Sequence, residues 1–191
     1  HVRYGVRYNR FSQRTTYNRP VSNTSRAGVL LDKDYGNSEP GYTPQFAVLY
    51  KITPEVSVFV DGSRAVEPNY AVDADGVPSQ PIESKSSDIG IKTELFAGRL
   101  VSTLTYYSLE RGNLAYNDVA KQSSTGRSPY FIFGNTEASK GFEGEINWSV
   151  IDGYQLIVAY NHFTEAKVTK SNDLTRIGTP LNYNPDTSYT V

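Results

Sequence analysis

The chain has 191 residues, a formal net charge of −1 and no Cys, so its overall balance draws it to neither nucleic acid nor an anionic surface, and disulfides, thiolate chemistry and Cys-based metal sites are excluded. Only 38% of the residues are hydrophobic although 15 are Tyr, a composition suited to surfaces that meet two solvents, because Tyr pairs an apolar ring with a polar tip. No stretch approaches the roughly 20 apolar residues of a spanning helix.

In chain order the dominant period is two, the period of strands. Val2, Tyr4, Val6 and Tyr8 oppose Arg3, Gly5, Arg7 and Asn9. Phe46, Val48 and Tyr50 share a parity, as do Val56, Val58 and Val60. Ile89, Ile91 and Leu95 oppose Asp88, Gly90, Lys92 and Glu94. The run 101–110 alternates less cleanly. In "GFEGEINWSV" Phe142, Gly144, Ile146, Trp148 and Val150 oppose Glu143, Glu145, Asn147 and Ser149, and Tyr154, Leu156, Val158 and Tyr160 oppose Gln155, Ile157, Ala159 and Asn161. Helix-period apolar patterning is hard to find. The pattern predicts an all-β antiparallel meander of about eight strands, from 2–12 to 186–191. The sequence starts and stops inside strand-like segments, without the charged start and apolar run of a signal peptide, which reads as a fragment.

Connections alternate in length. Tight turns are expected around Pro54, at Ala97-Gly98 and at Asp152-Gly153, where Asp-Gly suits positive φ. Long polar connections are expected at 13–42, 66–84, 113–128 and 169–184. All short turns then lie at one end. Trp148, Tyr154, Phe96, Tyr50 and Phe59 lie within a few residues of them, where the aromatic girdle of a transmembrane barrel would sit. A soluble sandwich alternates too, and Tyr and Trp are good strand formers in any sheet; the one-sided loops and aromatic placement favour the barrel.

Several segments carry a family resemblance. "TPQFAVLYKITPEVSVFVDGSRAVEPN", "SDIGIKTELFAGRLVSTLTYYSLERGNLAY" and "GFEGEINWSVIDGYQLIVAYNHFTEAKVT" resemble consecutive barrel strands of TonB-dependent outer-membrane receptors, the ferric-siderophore branch in particular. The motifs are Thr43-Pro44 opening a descending strand, the Pro54 turn, Glu67-Pro68 closing an ascending strand, Gly90 to Glu94 before the Ala97-Gly98-Arg99-Leu100 turn, and Gly141 to Glu145 leading to Asp152-Gly153. The resemblance covers nearly the whole chain and is weakest at 13–42 and 113–128. It implies a 22-stranded barrel with short periplasmic turns and long extracellular loops, filled by an N-terminal plug, in the outer membrane of a Gram-negative bacterium. It further implies a transporter and not an enzyme, with TonB-energised uptake of a ferric siderophore or similar large nutrient. The expected partners are that ligand, outer-membrane lipid and, through the plug, the TonB complex. Residues 1–191 would be one partial barrel domain, with the plug and C-terminal strands lying outside it.

On this reading Arg3, Arg7, Lys92, Glu94, Glu143 and Glu145 face the lumen. Tyr4, Tyr50, Ile89, Ile91, Phe142, Ile146, Trp148, Tyr154 and Val158 face lipid or form the girdle. Glu143 with Glu145, and Asp88 with Glu94, could be read as catalytic carboxylate pairs, but no nucleophile–base set accompanies them and a wet charged lumen explains them better. His1 and His162 lack companion metal ligands, and "DADG" at 73–76 lacks the distant Glu of a calcium loop, so no metal or cofactor is expected. The loop residues Tyr116, Lys121, Arg127, Tyr130 and Phe131 could hold an anionic iron chelate by charge and stacking, though solvated loop surface has the same composition. The rival readings are a soluble all-β carbohydrate- or surface-binding module and a complete eight-stranded outer-membrane barrel.

Overall fold

Period-two alternation becomes eight strands. β1 is Val2–Pro20, β2 Leu30–Lys51, β3 Val56–Glu67, β4 Ile82–Leu95, β5 Leu100–Asn117, β6 Phe131–Ile151, β7 Tyr154–Lys170 and β8 Thr187–Thr190. A 3-10 turn, Leu174–Arg176, lies between β7 and β8. The computed structural model describes residues 1–20, 30–69, 71, 78–119, 131–181 and 187–190, and at 13–20 and 30–40 the backbone path alone. Every strand pairs antiparallel with the next, giving one sheet in the order β1 to β8.

The tight turns fall where expected, between Lys51 and Val56, Leu95 and Leu100, and Ile151 and Tyr154. The first is closed by Thr53, whose hydroxyl accepts from the amides of Glu55 and Val56 at 3.2 and 3.0 Å. In the second, Phe96, Ala97 and Gly98 all take positive φ, and Arg99 donates to the carbonyls of Ser149 and Val150, tying the turn to β6. In the third, Gly153 alone takes positive φ, and a register shift between Ser149 and Ile151 accompanies the turn.

The strands run further from these turns than the sequence pattern predicts. The β1–β2 ladder continues to Pro20↔Leu30, through much of the stretch expected as a loop over 13–42. The reason is that ladder hydrogen bonds are made by the backbone and do not require apolar side chains. Alternating hydrophobicity marks the part of a strand that meets an apolar phase, and beyond it a polar strand pairs equally well.

Among the described residues the sheet has no apolar core of its own. Their buried hydrophobic side chains are Ala138 and Val168, while Tyr4, Tyr50, Ile89, Ile146 and Trp148 are exposed. Thus Ile146, Trp148, Leu156 and Val158 are not packed beneath a second protein layer, as a sandwich would require. What holds the sheet together is the ladder and its cross-strand pairs.

Candidate functional site

Register sorts side chains into rows across the sheet. One row runs Tyr50, Val58, Ile91, Leu104, Gly144 and Tyr160, and the next Val48, Val60, Ile89, Tyr106, Phe142 and His162. Towards the short turns follow Val56, Thr93, Ser102, Ile146 and Val158, then Leu95, Leu100, Trp148 and Leu156. Tyr4 opposite Phe46 belongs to the same face, and Tyr154 keeps the parity of Leu156. The structure therefore gathers Tyr4, Tyr50, Ile89, Ile91, Phe142, Ile146, Trp148, Tyr154 and Val158 on a single face, whereas Phe59, expected near the girdle from its distance to a short turn, has the opposite parity and falls on the other face. Thr93 and Ser102, hydroxyls within this apolar face, bond to each other at 2.7 Å. Tyr106 and Phe142 pack as a tilted pair with centroids 5.1 Å apart.

The opposite face is polar. Arg3, Ala47, Asp61, Asp88 and Tyr107 form one row, and Lys51, Ser57, Lys92, Thr103, Glu145 and Ala159 another. Arg7, Glu94 and Glu143 keep this parity, so the residues expected towards a lumen also share one face. A cavity of about 520 Å³ lies against it, touched by Lys92, Thr103, Tyr107, Glu143, Asn161 and Ser188, which come from β4 through β8. Two aromatic rings here lie on glycines. Phe59 covers Gly90 and carries the Lys92 ammonium 5.3 Å from its centroid, and Tyr107 covers Gly141 while donating to Asn161 at 3.1 Å. Among the described residues no three His, Asp or Glu side chains converge as a metal site.

At the long-connection end, a cluster joins β5, β6 and the segment after β7. The Tyr116 hydroxyl donates to Glu137 at 2.6 Å, and the Arg176 guanidinium lies 5.2 Å from the Tyr116 ring centroid while donating to the Asn117 carbonyl at 3.2 Å. Burial, then the hydrogen bond to the Glu137 carboxylate and its charge, push the Tyr116 phenol well above its ordinary value, so it remains a neutral donor. Phe131 stands opposite Asn117 and stacks on Phe133 at 6.3 Å. Lys121, Arg127 and Tyr130 lie outside the described residues.

This end is anchored by Asn135, which is fully buried. Its amide donates to the carbonyls of Leu114 and Ile132, and its oxygen accepts from Ser171 at 2.6 Å. Asn172 donates to the Phe133 carbonyl at 2.8 Å. Asp173 caps the 3-10 turn by accepting from the Thr175 hydroxyl and amide, and these bonds, helped by Arg176, hold its carboxyl below the usual range. Arg176, Glu137 and Phe133 were not anticipated from sequence. They are far from Tyr116 along the chain, and the pairing of β5 with β6, together with the return of the segment after β7, brings them to the same end of the sheet.

Removing the guanidinium should loosen this strap locally. Arg176→Ala is expected to speed hydrogen exchange of the 171–181 amides about tenfold, the effect of losing about 1.4 kcal/mol of cation–π and hydrogen-bond stabilisation, with the β4–β6 amides unchanged. Acidification should loosen the same segment. A carboxylate with a depressed folded pKa contributes above its unfolded value and loses that contribution as pH falls through the folded one.

A one-layer sheet with an exposed apolar face, a polar face that lines a cavity, and short turns confined to one end is the wall of a transmembrane β-barrel. Residues 1–191 match the model of the TonB dependent receptor-like β-barrel family, and the chain belongs to that family of outer-membrane proteins. It is 30% identical over 178 residues to the metal-pseudopaline receptor CntO of Pseudomonas aeruginosa, covering 93% of this chain and 23% of that one. It is 30% identical over 122 residues to the ferric-pyoverdine 358 receptor of Pseudomonas putida, covering 63% of this chain and 15% of that one. Among solved structures, the ferric-catecholate import receptor Fiu of E. coli K12 superposes with a TM-score of 0.71 at 16% identity, covering 98% of this chain and 28% of Fiu. The ferripyoverdine receptor of the P. aeruginosa outer membrane superposes at 0.66 with 22% identity, covering 84% of this chain and 21% of that one. The chain thus spans about a quarter or less of the length of these relatives, and its eight strands correspond to part of the family's 22-stranded barrel.

Proposed function

We propose that the protein containing this chain is an outer-membrane receptor that takes up a metal chelate, a ferric siderophore or a metallophore of similar size, with energy delivered by TonB through a plug. Residues 1–191 are one stretch of its barrel domain. The observation that carries the reading is the division of the sheet into an exposed apolar face and a polar, cavity-bearing face in a member of this receptor family. Tyr4, Tyr50, Ile89, Ile91, Phe142, Ile146, Trp148, Tyr154 and Val158 meet lipid, and Arg3, Arg7, Lys92, Glu94, Glu143 and Glu145 meet the water-filled or plugged interior.

Ligand recognition falls to the long-loop end, with Tyr116 and Phe131 joined by Arg176 and Lys121, Arg127 and Tyr130 as further contributors. Aromatic faces and a guanidinium suit a flat, anionic chelate. The ligand class extends beyond iron, because relatives at the same identity include a metal-pseudopaline receptor as well as ferric-pyoverdine receptors.

The test is uptake of radioactive iron, nickel and zinc as siderophore and metallophore chelates by cells lacking other such receptors and carrying the full-length gene. At least one chelate should accumulate, and a protonophore or loss of TonB should abolish it. Accumulation that persists without TonB, or absence of uptake across hydroxamate, catecholate, mixed and opine-type chelators, would reject the reading.

A further inference from the structure

Three Asp-Gly pairs occur in the sequence, and the structure describes two of them, Asp61-Gly62 within β3 and Asp152-Gly153 in the turn between β6 and β7. Their surroundings are opposite. Gly62 is buried and paired on both sides, with Phe46 on β2 and Ser87 on β4. The Phe46 ring covers it so closely that a Cβ would stand 2.7 Å from the ring edge. Asp152 and Gly153 are exposed, and beyond its chain neighbours nothing lies within 4 Å of where a Gly153 Cβ would be. Among the described residues neither the Asp152 carboxylate nor the Gly153 amide has a hydrogen-bond partner.

This contrast bears on a reaction open to any aspartate. Joining the side-chain carboxyl carbon to the next amide nitrogen closes a five-membered ring. Ordinarily a side chain on the following residue crowds the nitrogen, a hydrogen bond holds the N–H, or the backbone cannot rotate to bring the two atoms together. Gly153 has no side chain, which removes the first obstacle. Its amide is unbonded, which removes the second. It sits at an exposed tip, where local opening costs little free energy, which removes the third. The ladder begins immediately beside it, since Ile151 pairs with Tyr154 and Arg99 holds the carbonyls of Ser149 and Val150 at 3.2 and 3.0 Å. Freedom is thus confined to the two tip residues. At Gly62 the ladder and the Phe46 ring keep the second and third obstacles in place.

We propose that Asp152-Gly153 is a site of spontaneous covalent modification, at which aspartate converts to isoaspartate through a succinimide, while Asp61-Gly62 in the same sheet is protected. The Gly153 nitrogen attacks Cγ of the protonated Asp152 carboxyl. The N–Cγ bond forms, and the carboxyl hydroxyl leaves with the amide proton as water. Water then adds to the ring carbonyl that was the Asp152 main-chain carbonyl, and the bond from that carbon to the Gly153 nitrogen breaks. The chain now runs through Cβ and Cγ, and the former main-chain carbon ends as a free carboxylate. One water is lost and one regained, so mass and charge are unchanged and no other reactant is needed. The product carries one more backbone carbon in the shortest of the described turns, between the paired Ile151 and Tyr154.

The experiment holds the full-length protein, folded in detergent, for several weeks at body temperature and neutral pH. Isoaspartate is then located by peptide mapping with electron-transfer fragmentation, and its amount is measured by methyl transfer from labelled S-adenosylmethionine with an isoaspartyl methyltransferase. Synthetic peptides spanning each Asp-Gly pair run alongside and should convert at similar rates. In the folded protein, position 152 should keep pace with its peptide and convert at least about tenfold faster than position 61, whose reaction must await opening of the ladder. Unfolding the protein in urea should remove the difference. Asp152→Glu should abolish the signal at the turn, because a larger ring closes far more slowly. Absence of isoaspartate at 152 while its peptide converts, or equal conversion at 61 and 152 in the folded protein, would overturn the proposal. A tenfold difference already present between the two peptides would assign the selectivity to sequence and overturn it as well.

Discussion

Ile91→Arg in the full-length protein, refolded into phosphatidylcholine vesicles, is expected to lower stability against urea by about 2–4 kcal/mol, the cost of a cationic side chain near the bilayer midplane of a β-barrel. Ile91 lies four residues along β4 from Leu95, about 13 Å of strand and roughly 10 Å of height, close to the middle of a ~25 Å apolar band. It is also an exposed residue in the row with Tyr50, Val58 and Leu104, so no protein neighbour could shield the charge. Its chain neighbour Lys92 already carries a charge at almost the same depth, on the other face, against the polar cavity. Lys92→Gln should therefore change stability by less than about 1 kcal/mol, the scale of one exposed cation–π contact with Phe59. Equal tolerance of both substitutions would mean that the apolar face does not meet hydrocarbon, and the wall assignment would fall with it.

The second large effect separates two glycines of one motif. A Cβ on Gly141 would strike the carbonyl oxygen of His162 on the neighbouring strand and sit 2.6 Å from the Tyr107 hydroxyl. The ring could rotate away, but the carbonyl belongs to the ladder beside a register shift and has little freedom to move. Gly141→Val is thus expected to cost about 3 kcal/mol, the upper part of the range for overpacking. Adding Tyr107→Ala should restore only part of it. Three residues on, a Cβ at Gly144 would find Leu104 and Tyr160 at 3.9 and 4.0 Å, ordinary contact distances on the apolar face. Gly144→Ala should be neutral or stabilising, since Gly in a strand interior carries an entropic cost. Paired urea titrations of the two variants read this directly, and similar midpoints for both would contradict the packing described for the polar face.

At the long-connection end the groups support one another. Tyr116 is held by Glu137 and covered by Arg176, and the segment carrying Arg176 is pinned through Ser171 and Asn172 to β6. On the proposed function, such a fixed aromatic and cationic surface would limit the entropy lost on binding a rigid chelate.

The sequence by itself determined the strands, their alternating faces, the tight turns and the assignment of Arg3, Lys92 and Glu145 to one side and Ile91, Ile146 and Trp148 to the other. It could do so because side-chain parity in a strand is a local property with a period of two, visible in any ten residues. The tertiary structure decided how far the strands rise past the apolar zone, because backbone pairing leaves no mark on composition. It also decided which distant residues meet. Arg176 reaches Tyr116 through the return of the segment after β7, and Glu165 joins Lys140 to Lys167 and Tyr107 lies over Gly141 because register aligns these strands. Register is a relation between segments, set by turns and bulges, and no single segment carries it.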